Sequence, residues 1–204
     1  MHDDPEQTSA KRGRPRSLTE DQVIDAAVQL AKSVRLENVT MRALAQTLGV
    51  PVMTIYNYVP NKDALNERVV DAVLRPVTVP EPEDGTWEER LKQLERGARR
   101  ALAEFPGLSL DRPYSGEGRR LAEGVMSILE DAGFRPSDAS LAFATLFTFM
   151  VGQIDIDLEV AELRGPGADA VLSAAEAAEL SPDEIFEFGF DAVIQGLKAK
   201  LGSP

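Results

Sequence analysis

Residues 40–62 read Thr-Met-Arg-Ala-Leu-Ala-Gln-Thr-Leu-Gly-Val-Pro-Val-Met-Thr-Ile-Tyr-Asn-Tyr-Val-Pro-Asn-Lys, and this stretch decides the fold. The Thr40 hydroxyl can accept from an unpaired backbone N–H of a first helical turn, so Thr40 reads as an N-cap. Leu44, Ala45 and Leu48 then recur at helical spacing and share one face. Gly49 follows the last apolar position, where a left-handed residue ends a helix and glycine takes that conformation without strain. Pro51 suits a first helical position, whose N–H has no intrahelical partner in any case. A second short helix is therefore expected at once, over residues 52–58.

Helix, glycine turn and helix at this spacing are the pattern of a helix-turn-helix, whose second helix enters the major groove of DNA. With Ile55 and Val59 turned inward, the other face carries Val52, Met53, Thr54, Tyr56, Asn57 and Tyr58, with neither Arg nor Lys. Val52 and Met53 suit thymine methyls, Asn57 a base edge, and Thr54, Tyr56 and Tyr58 phosphates. Taken alone, the stretch also fits an ordinary helical hairpin with these residues in its core.

The flanking residues narrow the choice. A first helix with Ile24, Ala26, Ala27 and Leu30, then Val39-Thr40-Met41-Arg42, Leu44-Ala45, Leu48-Gly49-Val50, Thr54-Ile55-Tyr56-Asn57-Tyr58-Val59, Asn61-Lys62 and Ala64-Leu65 follow in order. In that order and spacing, residues 18–74 resemble the TetR family of bacterial transcriptional repressors. The resemblance covers about a quarter of the chain. It implies an all-α fold, with an N-terminal three-helix helix-turn-helix DNA-binding domain and a C-terminal helical ligand-binding and dimerisation domain. Thr40 and Arg42 join the expected DNA contacts. So does Lys62, which opens a helix capped by Asn61 and can meet a phosphate beside the free amides there.

Charge does not oppose this. The net charge is -12, yet residues 1–75 carry ten Lys/Arg against ten Asp/Glu, while residues 76–204 carry twelve against twenty-four. Positive potential is local to the DNA-binding block, and the acidic body favours one docking orientation. Residues 1–17 form a polar arm expected to be disordered when free. Within it, Lys11-Arg12-Gly13-Arg14-Pro15-Arg16 resembles the core of AT-hook motifs. Arg12, Arg14 and Arg16 are thereby expected in a narrow A·T-rich minor groove, with a solubilising basic tail as the alternative.

The chain has no cysteine and one histidine, His2, in the polar leader, so no metal site and no cofactor is expected. No secretion signal appears at the N-terminus, and the uncharged stretch 139–154 is too short for a membrane span, which predicts a cytoplasmic protein. His-Glu-x-x-His, Gly-x-Ser-x-Gly, a phosphate loop and a glycine-rich dinucleotide fingerprint are all absent, so an enzyme is not expected.

Beyond residue 75, Pro76 to Gly85 is too rich in breakers to hold a helix. Helices are expected over 86–105, 116–132, 139–163 and 181–201, with a shorter Ala-rich one over 169–180. The helix centred on Phe147 is apolar on nearly every side, which implies burial all round. The last helix carries Phe186, Phe190, Val193 and Leu197 on one face, with Ile185, Phe188, Ala192 and Ile194 nearer another.

The family resemblance implies that these two helices pair with their symmetry mates in a homodimer, through Phe149, Ile156, Ile185, Phe188, Ala192 and Gln195. Two-fold symmetry matches a palindromic double-stranded operator. It also implies a small-molecule effector, apolar or cationic, inside the helical body. Expected walls are Trp87, Leu91, Phe105, Leu108, Tyr114, Met126, Phe143, Phe147, Met150 and Gln153, with Glu123, Asp155 and Asp157 as partners for a cation. The same aromatic and Met residues at helical spacing also fit a filled core.

Overall fold

The computed structural model describes residues 18–105, 116–162 and 181–201, with residues 155–162 by backbone alone. The described residues form eight α-helices and no strand. Helices α1 (Glu20–Ser33), α2 (Met41–Leu48), α3 (Val52–Tyr56) and α4 (Lys62–Leu74) make the N-terminal part. Helices α5 (Trp87–Leu102), α6 (Gly116–Asp131), α7 (Pro136–Glu162) and α8 (Pro182–Leu201) make the body. Single 3-10 turns at Leu36–Asn38 and Pro82–Asp84 punctuate the connections.

Local chemistry starts and stops these helices. Thr19 and Thr86 each complete a capping box, with Gln22 and Glu89 returning the bond. The Thr40 hydroxyl accepts from the Ala43 N–H at 3.0 Å, and Asn61 Oδ1 accepts from the Ala64 N–H at 2.8 Å. Ser181 and Glu184 cap α8 reciprocally. Gly49 ends α2 at φ 65°, the left-handed conformation that lets the chain turn into α3. Pro51 sits one residue earlier than expected, as the N-cap of α3 at ψ 143°. Helix α3 is also shorter than the stretch 52–58, ending at Tyr56.

Two apolar clusters hold the chain together. The lower one joins Val23, Ala27, Leu44, Ile55, Val59, Leu65 and Val69 of the N-terminal part to Val77, Ala98, Leu102, Phe105, Leu121 and Ile154 of the body. Apolar packing thus runs across residues 75/76, where the sequence divides the chain into two parts. The upper cluster gathers Leu91, Leu94, Val125, Ile128, Leu129, Phe134, Leu146, Phe186, Phe190 and Ile194. An ion-pair seam fastens α5 to α8: Lys92 reaches Asp191 at 2.6 Å and Glu187 at 2.9 Å, Arg96 grips Glu187 at 2.5 and 2.6 Å, and Arg99 meets Asp183 at 2.6 Å.

Two expectations about the body change. Ile194, expected near the outer face of α8, is buried in the subunit's own core. The apolar window of α7 is longer than residues 139–154: Pro136–Ile154 spans 19 residues, enough by length and composition to cross a membrane. Only 28% of that window is buried within the single chain, through residues such as Ala139, Ala142, Leu146 and Ile154, which leaves the rest of its apolar surface for a second subunit or an internal cavity to cover. Leu141 is 68% exposed there, and on α8 Phe188 is 80% exposed. The expected helix over 169–180 lies outside the described residues.

Candidate nucleic-acid interface and effector site

Helix α3 stands on its inner side through Ile55, which is fully buried, while Val59 closes the core just beyond it. Its outer side is open. Met53 is 73% exposed, Tyr56 and Asn57 are exposed, and Thr54 is half-buried. Thr40 and Arg42 lie exposed at the start of α2. Val52 is half-buried and leans on the core. These side chains form one surface that a groove can receive.

Two of the expected phosphate contacts also have partners within the chain. The Tyr58 hydroxyl donates to the Leu18 carbonyl at 2.6 Å, tying the chain before α1 to the end of the helix-turn-helix. The Lys62 ammonium donates to the Leu36 carbonyl at 2.6 Å and also to the Val39 carbonyl. Those carbonyls belong to the Leu36–Asn38 turn and its cap, whose acceptors need a donor once the chain leaves the helix. Lys62 therefore holds the linker between α1 and α2, and its charge reaches a phosphate only from that anchored position.

From Lys62, α4 runs up to the body, where Asp71 meets the start of α6. The Glu117 N–H donates to Asp71 Oδ1 at 2.9 Å. Gly116 has φ 54°, and a Cβ there would collide with both carboxylate oxygens of Asp71. One residue thus caps a body helix from inside the DNA-binding part. Arg120 adds a second tie, donating from Nη2 to the Val77 carbonyl at 2.6 Å while Nε holds Glu117 at 2.6 Å.

Comparison with known proteins decides what this arrangement is. Residues 23–69 match the family described as bacterial regulatory proteins, tetR family, and residues 79–177 match the tetracyclin repressor-like C-terminal domain. The class A tetracycline repressor of transposon 1721, from Escherichia coli, is 30% identical over 197 residues, covering 88% of this chain and 90% of that protein. The chain belongs to the tetR family. Among solved structures, apo ActR from Streptomyces coelicolor is similar at TM-score 0.76 and 30% identity, covering 91% of this chain and 97% of that one. ActR in complex with actinorhodin gives TM-score 0.76 at 28% identity over 92% and 99%. A TetR variant from Acinetobacter baumannii AYE in complex with minocycline gives 0.74 at 28% over 91% and 96%.

As a tetR-family member, the protein is a ligand-responsive, DNA-binding transcriptional regulator and not an enzyme. Its expected effector walls fall into two groups. Trp87, Leu91, Met126 and Phe143 meet in the upper cluster, where Trp87 packs edge-on against Phe134 at 5.5 Å and Phe143 stacks on Phe147 at 6.0 Å. Phe105 and Met150 belong with the lower cluster, Phe105 at the junction with the DNA-binding part under the Lys32 ammonium. Leu91 has no exposed surface at all and is core. Gln153 is buried. Leu108, Tyr114, Arg12, Arg14 and Arg16 lie outside the described residues.

The expected partner face is also refined. Phe188, Ala192 and Gln195 of this tetR-family regulator are exposed on α8 and Ile185 is half-buried. Phe149 points inward, its ring 5.7 Å from Phe186 and 6.5 Å from Phe190, over Gly189, whose missing side chain makes room for it. The side chain of Ile156 lies outside the described residues, as do those of Asp155 and Asp157. Glu123 is on the surface, paired with Arg119 at 2.7 Å, and does not face the interior.

One residue escaped the sequence reading. Glu95 is buried on α5, and its pKa is pushed up to about 8 because burial disfavours the charged form. A signal was present: Glu95 follows Leu91 by four and precedes Ala98 by three, which puts it on one helix face with two apolar residues. A depression of about 400 Å³ lies elsewhere, along the outer side of α5 between Glu89, Lys92, Gln93, Arg96 and Arg100. Lys92 and Arg96 there are engaged by α8, which makes it part of the ion-pair seam.

Proposed function

We propose that this chain is a cytoplasmic repressor that holds a palindromic operator as a homodimer and leaves it when a small molecule binds the helical body. The observation that carries the reading is the outward face of α3, with Met53, Tyr56 and Asn57 exposed above a fully buried Ile55. Met53 and Val52 read thymine methyls, Asn57 reads a base edge, and Thr40, Arg42, Thr54 and Tyr56 fix register on phosphates. The basic arm with Arg12, Arg14 and Arg16 follows the adjacent minor groove.

A single α3 offers too few contacts for a specific site, and a symmetric pair reads two half-sites one helical turn apart. The exposed apolar residues Leu141 on α7 and Phe188 on α8 support a partner surface there. ActR with actinorhodin and the TetR variant with minocycline are similar proteins seen with small molecules, which supports an effector in this body as well.

Helix α4 is the transmitter. Its lower end is fastened to the α1–α2 linker by Lys62 and its upper part to α6 by Asp71. A ligand that shifts α6 therefore carries α4, and with it the spacing of the two recognition helices. Moving such an equilibrium from 1:99 to 99:1 needs a difference of about 5.5 kcal/mol between the two forms. Fluorescence anisotropy with promoter-proximal DNA tests the reading. Binding should be sequence-selective and fall steeply with salt; salt-insensitive binding, or compounds that bind the body without altering operator affinity, would contradict it.

A further inference from the structure

The interior of the body holds an ionisable side chain that the fold does not use. Glu95 is 4% exposed, and its Oε2 has no hydrogen-bond partner. The cations nearest in sequence, Arg96 and Lys92, are held by Glu187 on α8, and the next ones are engaged as well. Arg90, also buried, donates from Nε to the Pro80 carbonyl at 3.3 Å and lies 3.7 Å from Asp131, while Arg99 holds Asp183 and covers the Phe186 ring. Among the described residues the only other buried polar side chain is Gln153 on α7, and the only other partnerless buried side-chain atom is Asn66 Oδ1 on α4. A carboxyl stripped of water and left without a partner is destabilising, so a fold that keeps one has something else to meet it.

Its position says where. The two apolar clusters part at one level of three helices. On α5 the change falls between Leu94 above and Ala98 below, which is where Glu95 stands; on α6 it falls between Val125 and Leu121. On α7 it falls between Phe149, packed on the upper cluster, and Met150, packed on the lower one, with Gln153 less than one turn further along. Glu95 thus stands at the level where the two clusters part, with Gln153 close to that level on α7. At its start, α6 also meets Asp71 of α4.

We propose that Glu95 is the polar anchor of the effector site, and that the effector is an apolar body carrying one basic nitrogen, whose ammonium pairs with the Glu95 carboxylate. This rests on the ligand-responsive reading above. In the free protein the carboxyl keeps its proton at neutral pH, which is compatible with its apolar surroundings. When an ammonium enters, ionisation becomes favourable, so the carboxyl proton goes to solvent and a buried ion pair replaces a neutral acid. Gln153 can accept a further N–H of the same group through its amide oxygen. A neutral ligand of the same shape gains only a hydrogen bond.

Matched fluorescent probes test this on the full chain: methylaminomethyl-anthracene, which is cationic, and methoxymethyl-anthracene, which is neutral. The wild type should bind the amine at least about tenfold more tightly than the ether. Calorimetry in phosphate and Tris buffers should show a proton released with the amine alone. Glu95→Gln should bring the two affinities together and abolish proton release, while Glu95→Asp should keep part of both; thermal melts confirm that each variant is folded. Equal affinities in the wild type, a preference that survives Glu95→Gln, or binding of neither probe would each overturn the proposal. Operator release is read separately. If the ether releases operator as well as the amine does, the regulator reading stands and only the role of Glu95 falls.

Discussion

Asp71 and Glu117 are joined across the boundary between the DNA-binding part and the body, the Glu117 backbone N–H donating to Asp71 Oδ1 at 2.9 Å. A carboxylate at the N-terminus of a helix meets both an unpaired amide and the positive end of the helix dipole, so the contact is directional as well as favourable. In the proposed switch this contact couples α6 to α4. Asp71→Ala should therefore reduce the effector's influence on operator affinity more than it reduces operator affinity itself, measured as the ratio of operator Kd with and without effector.

Gly116 tests the same joint from its other side. An alanine there meets a left-handed φ of 54° and the Asp71 carboxylate together. Gly116→Ala should lose more than about 1 kcal/mol of stability from the backbone conformation alone, seen in denaturant unfolding, and Asp71→Ala in the same chain should recover part of it.

On the DNA surface, Arg42 and Lys62 should behave differently although both are cations. Arg42 is exposed at the start of α2, so Arg42→Ala should weaken all sequences alike and reduce the slope of log K against log salt by about 0.9 for each phosphate that the guanidinium neutralises. Lys62→Ala removes the donor to the Leu36 and Val39 carbonyls and should show first as a lower melting temperature. Asn57→Ala should instead change the preference among operator variants, by about 1–3 kcal/mol at the base it reads.

Stability should fall as pH rises because of Glu95. Its pKa is about 8 in the fold against 4.5 as the ordinary value, so between those limits the folded state keeps a proton that the unfolded chain has released. Stability drops through that window and levels off above it. Glu95→Gln removes the slope and should be the more stable at pH 7, by on the order of 3 kcal/mol, with no advantage near pH 4. Glu187 acts in the opposite sense: the Arg96 guanidinium holds it down at about 2, so its contribution is present above the ordinary carboxylate range and is lost as pH falls toward 2. Urea unfolding across pH separates the two.

For the partner surface, Phe188→Glu places a charge on the most exposed large apolar side chain among the described residues. Sedimentation at micromolar concentration should show a monomer, with operator binding weakened far more than the single-site contacts of α3 explain. A dimer that survives both Phe188→Glu and Leu141→Asp would place the two-fold axis on another face.

What the sequence determined by itself is the order of helices and their ends. Thr19, Thr40, Gly49, Asn61, Thr86 and Ser181 act on backbone groups within four residues, so their effect is written in spacing. The inward positions Ile55, Leu91, Leu121 and Phe186 follow from helical period for the same reason. What only the tertiary structure decided is which polar groups meet across long separations. Tyr58 finds Leu18, Lys62 finds Leu36, Asp71 finds Glu117, and Glu95 finds no partner. Ile194 and Phe149 turn inward because neighbouring helices fill the space around them. A hydrogen bond or a close approach depends on a few tenths of an ångström between segments far apart in the chain, and only the packed fold sets that distance.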